Sequence, residues 1–335
     1  MQNVLIFFLQ VLTVVVIVGF GLLAVVGGII ALATKAKLKP KEKIELINLN
    51  EKYKNMQHAL NSELLTKREL KQIAKHEKEA AKLTKKQEKN NPPPPRKRIF
   101  ILNFCGDLRA SQAEDLREEI TALLTIATPK DEVLAKIEST GGVVHGYGFA
   151  ASQLERIRAH NIPLTAAVDK VAASGGYMMA CVADKIIAAP FAIIGSIGVI
   201  AQIPNFHRLL KKHDIDFEQI MAGEYKRTLT IFGENTNKDR KKMQEEVNEA
   251  HELFKNFVAT HRPNVDISLV ATGEYWYGVR AQELRLVDEI TTSDDYLLNA
   301  REKADLYTIT YSVKKNLLKK FGLSLQKAAD KFTQI

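Results

Sequence analysis

The sequence predicts an α/β protein built on parallel strands with crossover helices, preceded by a membrane-spanning helix. From Arg98 onward, short apolar runs of strand length alternate with longer runs of helical period, which is the pattern of strands joined by crossover helices. From Val4 to Leu32 the chain carries no charged residue. Between these regions lies a Lys- and Glu-rich segment that closes on the prolines Pro92, Pro93, Pro94 and Pro95.

The apolar run is longer than the roughly 20 residues needed to cross a bilayer. Ala31-Leu32-Ala33 resembles a secretion-signal cleavage site. No Lys or Arg precedes the run, however, and it is about twice as long as a signal core. Residues 1–34 are therefore expected to be an uncleaved anchor in contact with the lipid bilayer. Lys35, Lys37, Lys39, Lys41 and Lys43 follow at once, and the positive-inside rule places that flank in the cytoplasm. Export of a large C-terminal domain is compatible with such flanks, so the side on which the domain lies stays open.

Residues 35–98 hold 19 Lys and Arg against 8 Asp and Glu, a net of +11, where the whole chain of 335 residues carries +9. The basic charge thus belongs to the segment and not to the domain. Residues 35–97 read as a solvated stalk, helical or disordered, with no nucleic-acid partner expected. Successive prolines end any helix there. The globular domain spans 98–300, and 301–335 forms a basic extension, helical around Val313 to Phe332. Cys105 and Cys181 define neither a disulfide framework nor a metal site.

Within the domain, Arg98 to Phe104, Glu132 to Glu138, Pro163 to Val168 and Lys185 to Ala189 read as buried strands. Ser111 to Ile126, His145 to His160, Ser174 to Ala183 and Lys238 to His261 read as helices. Ile186 to Phe206 also lacks charge. Pro190, Gly195, Gly198 and Gln202 interrupt it, and buried strands produce similar runs, so a second membrane span is not expected.

Several active-site patterns fail on inspection. His251-Glu252 opens like a zinc-protease helix, but Lys255 stands where the second ligand belongs. Gly146, Gly148 and Ala151 fit a relaxed dinucleotide fingerprint with Asp169 downstream, yet Gly141 and Gly142 already occupy the strand's end. Ala172 replaces the glycine that a nucleophile elbow places two residues before its serine.

What remains is Ser174 at the start of a helix, in VAASGGYMMA, where it is either a nucleophile or a helix cap. The helix N-terminus favours developing negative charge. The Gly175 N–H can face an oxyanion, and Gly142, in the turn Glu138-Ser139-Thr140-Gly141-Gly142, can present a second donor. His145, His207 and Lys226 are the candidate bases; a lysine qualifies only if burial keeps it neutral.

The segments VAASGGYMMACVADKIIAAP, GSIGVIAQ and GEYKRTLTIFGENT resemble the signature segments of the membrane-anchored serine peptidases of the signal-peptide-peptidase A type. The resemblance runs from about Arg98 to Asp295. It implies a ClpP/crotonase-like fold of repeated β-β-α units in a bacterial inner-membrane enzyme. It also implies a Ser-Lys dyad with Ser174 as nucleophile, Lys226 as general base and Ser196 orienting the lysine. Thr140 stands where the family has proline, which removes a preset backbone angle from the oxyanion turn. The resemblance further implies a homo-oligomeric ring or dome in which the serine and lysine of the dyad can come from neighbouring subunits. Peptides or unfolded proteins are the implied substrates, with no cofactor and no metal. A catalytically silent membrane scaffold and a crotonase-type acyl-CoA enzyme are the alternatives of other classes.

Overall fold

The computed structural model of the chain describes residues 42–90 and 96–313, together with Thr13, residues 17–19, Gly21 and Gly27. The expected anchor is thus almost wholly outside the described residues, as are the proline tract and the C-terminal helix expected beyond Val313. No described helix is long and apolar enough to cross a membrane. The chain divides into a compact unit of residues 44–311 and a second grouping of residues 1–43 and 312–335. The elements named below belong to the first, apart from the outermost residues of two strands.

In chain order the first elements are β1 (Glu42–Asn48), α1 (Leu49–Leu64), α2 (Lys67–Asn90), β2 (Lys97–Gly106) and α3 (Ala113–Leu124). Then come β3 (Glu132–Ser139), α4 (Val144–Ala159), β4 (Leu164–Val168), β5 (Val171–Ala173) and α5 (Gly175–Ala180). β6 (Lys185–Ala188), β7 (Ile193–Gly195), α6 (His207–Lys212), α7 (Asn237–His261) and α8 (Ile267–Val270) follow. β8 (Tyr275–Tyr277), α9 (Gly278–Glu283), β9 (Glu289–Ile290), α10 (Ser293–Ala300) and β10 (Ala304–Val313) complete the series.

The main sheet runs β1-β10-β2-β3-β4-β6-β9, and its registered pairs from β10 to β9 are all parallel. β3 pairs with β4 from Val133 to Lys136, and its last residue, Ser139, pairs instead with Ala172 of β5. The sheet therefore forks. β5 continues to β7 in parallel, and β7 meets β8 antiparallel. Ile186 to Phe206, whose reading as a second span was set aside, supplies the interior strands β6 and β7.

Alternation along β2 sends Phe100, Leu102 and Phe104 to one side and Ile99 and Ile101 to the other, since successive strand side chains point to opposite faces. The first side forms the larger core with α3, α4, α5 and α7. On the second, Leu134, Ala167, Ile187 and Leu306 lie under Leu49 and Tyr53 of α1 and Tyr296 and Ala300 of α10. Asn50 fastens α1 there: its amide donates to the Arg301 and Ala304 carbonyls at 3.0 Å, and its oxygen accepts from the Leu306 N–H at 2.7 Å.

Two stretches depart from the sequence reading. Glu42–Asn48, expected within a stalk, is a strand, and α1 after it covers a sheet face. Ala304–Val313, expected in a basic extension, is a strand beside β2. Glu42, Lys43 and Glu45 hide the first strand among the charges of the linker, whereas the second carries only Asp305 and alternates apolar with polar residues in a stretch read as part of the basic tail. The strand is decided by pairing between segments about 250 residues apart, which a local window does not contain.

Glu119, on the inner side of α3, is buried and accepts a hydrogen bond from the Tyr311 N–H at 2.9 Å. Burial pushes its carboxyl up to about 7, opposed by the Tyr311 bond and reinforced by Asp115. The folded chain therefore binds an extra proton between the usual carboxylate range and about pH 7, so stability falls as pH rises through that window. Glu119→Gln keeps an acceptor without the charge. It should raise stability by on the order of 2 kcal/mol at pH 8 and leave it nearly unchanged at about pH 4, as read by urea midpoints of the full chain in detergent.

Candidate active site

Ser174 occupies the one residue between β5 and α5, with φ 51° and ψ −119°. A non-glycine residue held there costs of order 1–3 kcal/mol and persists because its surroundings fix it. The fixing bonds are visible. The Ser174 N–H donates to the Gly195 carbonyl at 2.8 Å, and the Ser174 carbonyl accepts from the Met178 N–H at 2.9 Å. The side chain makes no capping hydrogen bond, so the cap reading fails. Its hydroxyl bonds to no described residue, and it is half-buried. This strand-turn-helix holds its serine at positive φ without the glycine of a nucleophile elbow; Ala172 is buried in that place.

The turn after β3 abuts the serine. Gly141 has φ 88°, and a Cβ on it would come within 2.7 Å of both the Gly175 nitrogen and Ser174 Cβ. Only glycine both adopts that angle freely and permits that approach. Gly175 meets the Tyr147 ring just as closely, which sets the entry of α5 against α4. The Gly142 N–H has no acceptor among the described residues. The Gly175 N–H is the first of its helix and has no partner within it. Two amides on either side of the Gly141–Ser174 contact are thus available to an anionic oxygen.

The turn is stiffened by side chains, since Thr140 replaces proline. Ser139 Oγ lies 2.5 Å from the Tyr147 hydroxyl and accepts from the Gly141 N–H at 3.0 Å. The Tyr147 hydroxyl donates to the Asp107 carbonyl at 2.7 Å. Burial raises the Tyr147 phenol, with the Ser139 bond acting the other way. Tyr147 and Ser139 were not singled out from sequence. The available signal was Tyr147 between Gly146 and Gly148, five residues past the glycine turn, in the stretch weighed as a dinucleotide fingerprint. Asp169, the acid of that fingerprint, instead accepts from the N–H and hydroxyl of Ser293 at 2.8 and 2.6 Å.

Ser196 follows β7 as Ser174 follows β5, and it too has a positive φ, of 50°. Since Ala173 pairs with Gly195, the two serines stand side by side at the ends of adjacent parallel strands. The Ser196 hydroxyl makes one long bond, 3.4 Å, to the Gly273 carbonyl.

Lys226 is not joined to them within this chain. It lies in residues 199–236, which contain one short helix, α6, and its side chain is exposed. Neighbours fix the backbone around it. Glu224 pairs with Lys238, and the Tyr225 ring lies under the Lys238 and Lys242 ammonium groups at 5.8 and 5.3 Å. Ile200, Phe206, Ile220, Met221 and Tyr225 of the same segment are exposed apolar groups. No histidine bonds to Ser174. His145 is exposed and His207 is half-buried on α6. His251 Nε2 lies 3.2 Å from the Ile197 carbonyl, and His261 pairs with Glu155 at 3.0 Å.

Comparison with known proteins gives the family. The profile of the N-terminal region of peptidase family S49 matches residues 1–154, and that of peptidase family S49 matches residues 156–307. A relative from Haemophilus influenzae described as "Probable protease SohB" is 50% identical over 331 residues, 97% of this chain and 92% of the relative. This chain belongs to peptidase family S49. A second relative with the same description, from Buchnera aphidicola of Acyrthosiphon pisum, is 56% identical over 69% of this chain and 68% of its own length. The ClpP protease catalytic domain of Plasmodium falciparum overlays on 58% of this chain and 85% of that one, with a TM-score of 0.37 and 10% identity. As an S49 member the chain is a serine-type peptidase, and Ser174 is the serine whose surroundings suit that work.

The close fit of Gly141 supplies a test. Gly141→Ala should lower the rate of labelling by a serine-directed fluorophosphonate by at least about tenfold, through displacement of the Gly142 and Gly175 amides available to an anionic oxygen. Circular dichroism should stay at the parent's level.

Proposed function

We propose that the chain is a membrane-tethered endopeptidase that works through a Ser-Lys dyad, with Ser174 as nucleophile and Lys226 of a neighbouring copy as general base. The observation that carries this reading is the geometry at Ser174. An unbonded hydroxyl is held at positive φ between two free amides, with no histidine in hydrogen-bond contact. A base must then come from elsewhere. Lys226 sits exposed on a segment rich in uncovered apolar side chains, the kind of surface that another subunit covers.

The proposed sequence of steps follows from these groups. Ser174 Oγ attacks the scissile carbonyl as its proton passes to the neutral Lys226 amine. The negative oxygen is received by the N–H groups of Gly142 and Gly175. The lysine ammonium then protonates the departing amine, leaving an ester on Ser174. Water, deprotonated by the same lysine, hydrolyses that ester. Burial of Lys226 against a second chain favours the neutral amine, and the Ser196 hydroxyl beside Ser174 is positioned to orient it. Tethering is assigned to the charge-free run Val4 to Leu32, and the proposed location is the bacterial inner membrane. Apolar signal-peptide remnants and unfolded segments of membrane proteins are the proposed substrates, in line with the resemblance to peptidases of the signal-peptide-peptidase A type.

Ser174→Ala and Lys226→Ala should each abolish peptide cleavage while leaving assembly unchanged. Mixing equal amounts of the two inactive proteins through a dissociation and reassociation cycle tests where the dyad forms. A site built across two subunits recovers about one quarter of parental activity. A site built within one chain recovers none, and full activity of either single variant rejects the dyad.

A further inference from the structure

The helix α2 carries a second surface that the peptidase reading does not use. On a repeat of about 100° per residue, Lys67, Lys71, Lys75, Lys78 and Lys82 fall within a single arc of about 80°. The helix is 24 residues long, and from Lys67 to Lys82 the stripe extends about 23 Å. Lys67, Lys71, Lys75, Lys78 and Lys82 are exposed, and none of these five forms an ion pair with a described residue.

Two acids of α2 are engaged elsewhere, and Glu79 borders the stripe without forming an ion pair to a described residue. Glu69 accepts the Thr66 N–H and hydroxyl at 2.8 and 2.7 Å. Glu77 reaches back to Lys54 and His58 of α1, at 3.6 and 3.5 Å, so α2 folds back along α1. Its partly buried positions, Leu70, Ile73 and Glu77, centre roughly 140° around the helix from the lysine stripe. The lysines therefore face away from the packed side. Like charges at i,i+4 oppose the helix that holds them, a cost that a negatively charged surface relieves.

The geometry points to the lysine face of α2 lying on the anionic headgroups of the membrane to which the chain is tethered. Charge complementarity supports it: a straight row of ammonium groups on one side of a helix suits a flat, fluid array of phosphates. Covalent continuity supports a lipid surface over a nucleic acid, because α2 follows the charge-free run Val4 to Leu32 in the chain and is held near whatever that run occupies. The inference rests on the anchor assignment in this respect. Neutral lysines are not needed, since the row acts through its full charge and falls off with salt.

The test uses the full chain reconstituted in phosphatidylcholine vesicles, with or without about one part in three of phosphatidylglycerol. Flotation with the neutral vesicles reads the anchor alone. Amide hydrogen exchange over residues 67–90 reads the stripe. Exchange should slow at least about threefold in the anionic vesicles relative to the neutral ones, and the difference should vanish in about 0.5 M salt, where screening acts over only a few ångströms. Lys71→Gln, Lys75→Gln and Lys78→Gln together should remove the protection and leave flotation unchanged. Equal exchange in the two vesicles overturns the inference, as does protection that the triple variant retains. Protection produced by an RNA oligonucleotide in neutral vesicles, with none from anionic lipid, also overturns it and assigns the stripe to nucleic acid. A chain that fails to float with neutral vesicles refutes the anchor, and the exchange comparison with added anionic vesicles still reads the stripe.

Discussion

Strand β3 gives most of its length to β4 and its last residue, Ser139, to β5, and the active half of the molecule depends on that change of partner. Because β5 starts beside the tip of β3 and passes the pairing on to β7, three strand ends are brought to one edge. A serine closes or directly follows each: Ser139, Ser174 and Ser196. The first braces the glycine turn through Tyr147, the second is the proposed nucleophile, and the third lies next to it. Backbone hydrogen bonds set these positions before any side chain is considered. The Ser174 N–H to Gly195 carbonyl bond links the second and third strands at the residue where precision matters.

Ser174 is held by backbone bonds on both sides, and the proposed proton acceptor is exposed in the single chain. Ser174 stores backbone strain that its neighbours maintain, and the oxyanion turn is closed by a buried bond between two hydroxyls. Lys226, by contrast, lies on an excursion whose local order comes from a ring cluster of Phe206, Phe217 and Phe232 and from contacts to the start of α7. The proposed dyad, completed by a neighbour, would keep an isolated chain from hydrolysing peptides, because the serine alone lacks a base.

Much of the domain was legible in the sequence because burial on both faces leaves unbroken apolar runs. Phe100, Leu134, Ala166 and Ile186 belong to such runs, and their strands lie where the alternation places them. Ser174 was legible through its two glycines, which the structure uses for close approach. The strands at 42–48 and 304–313 were not, since each adjoins a strongly basic stretch that set the reading of its surroundings and their pairing is remote. Tyr147 was missed for a different reason. Its role rests on a hydroxyl reaching Ser139 and Asp107 from another element, and no local pattern announces a bond of that kind. The Thr140 substitution suggested a looser turn, and the Tyr147 network shows where the missing stiffness is supplied.

The clamp made by Asn50 has a consequence for how the protein is made. Its partners, Arg301, Ala304 and Leu306, lie about 250 residues downstream, so at ribosomal speeds of about 5–20 residues per second roughly 10–50 s separate their synthesis. Through that interval Leu49 and Tyr53 await a sheet that is still incomplete. Chaperone demand should therefore peak late in translation, and a nascent chain stalled before residue 300 should be captured by holdases through its first helix, although Ser174 has already emerged.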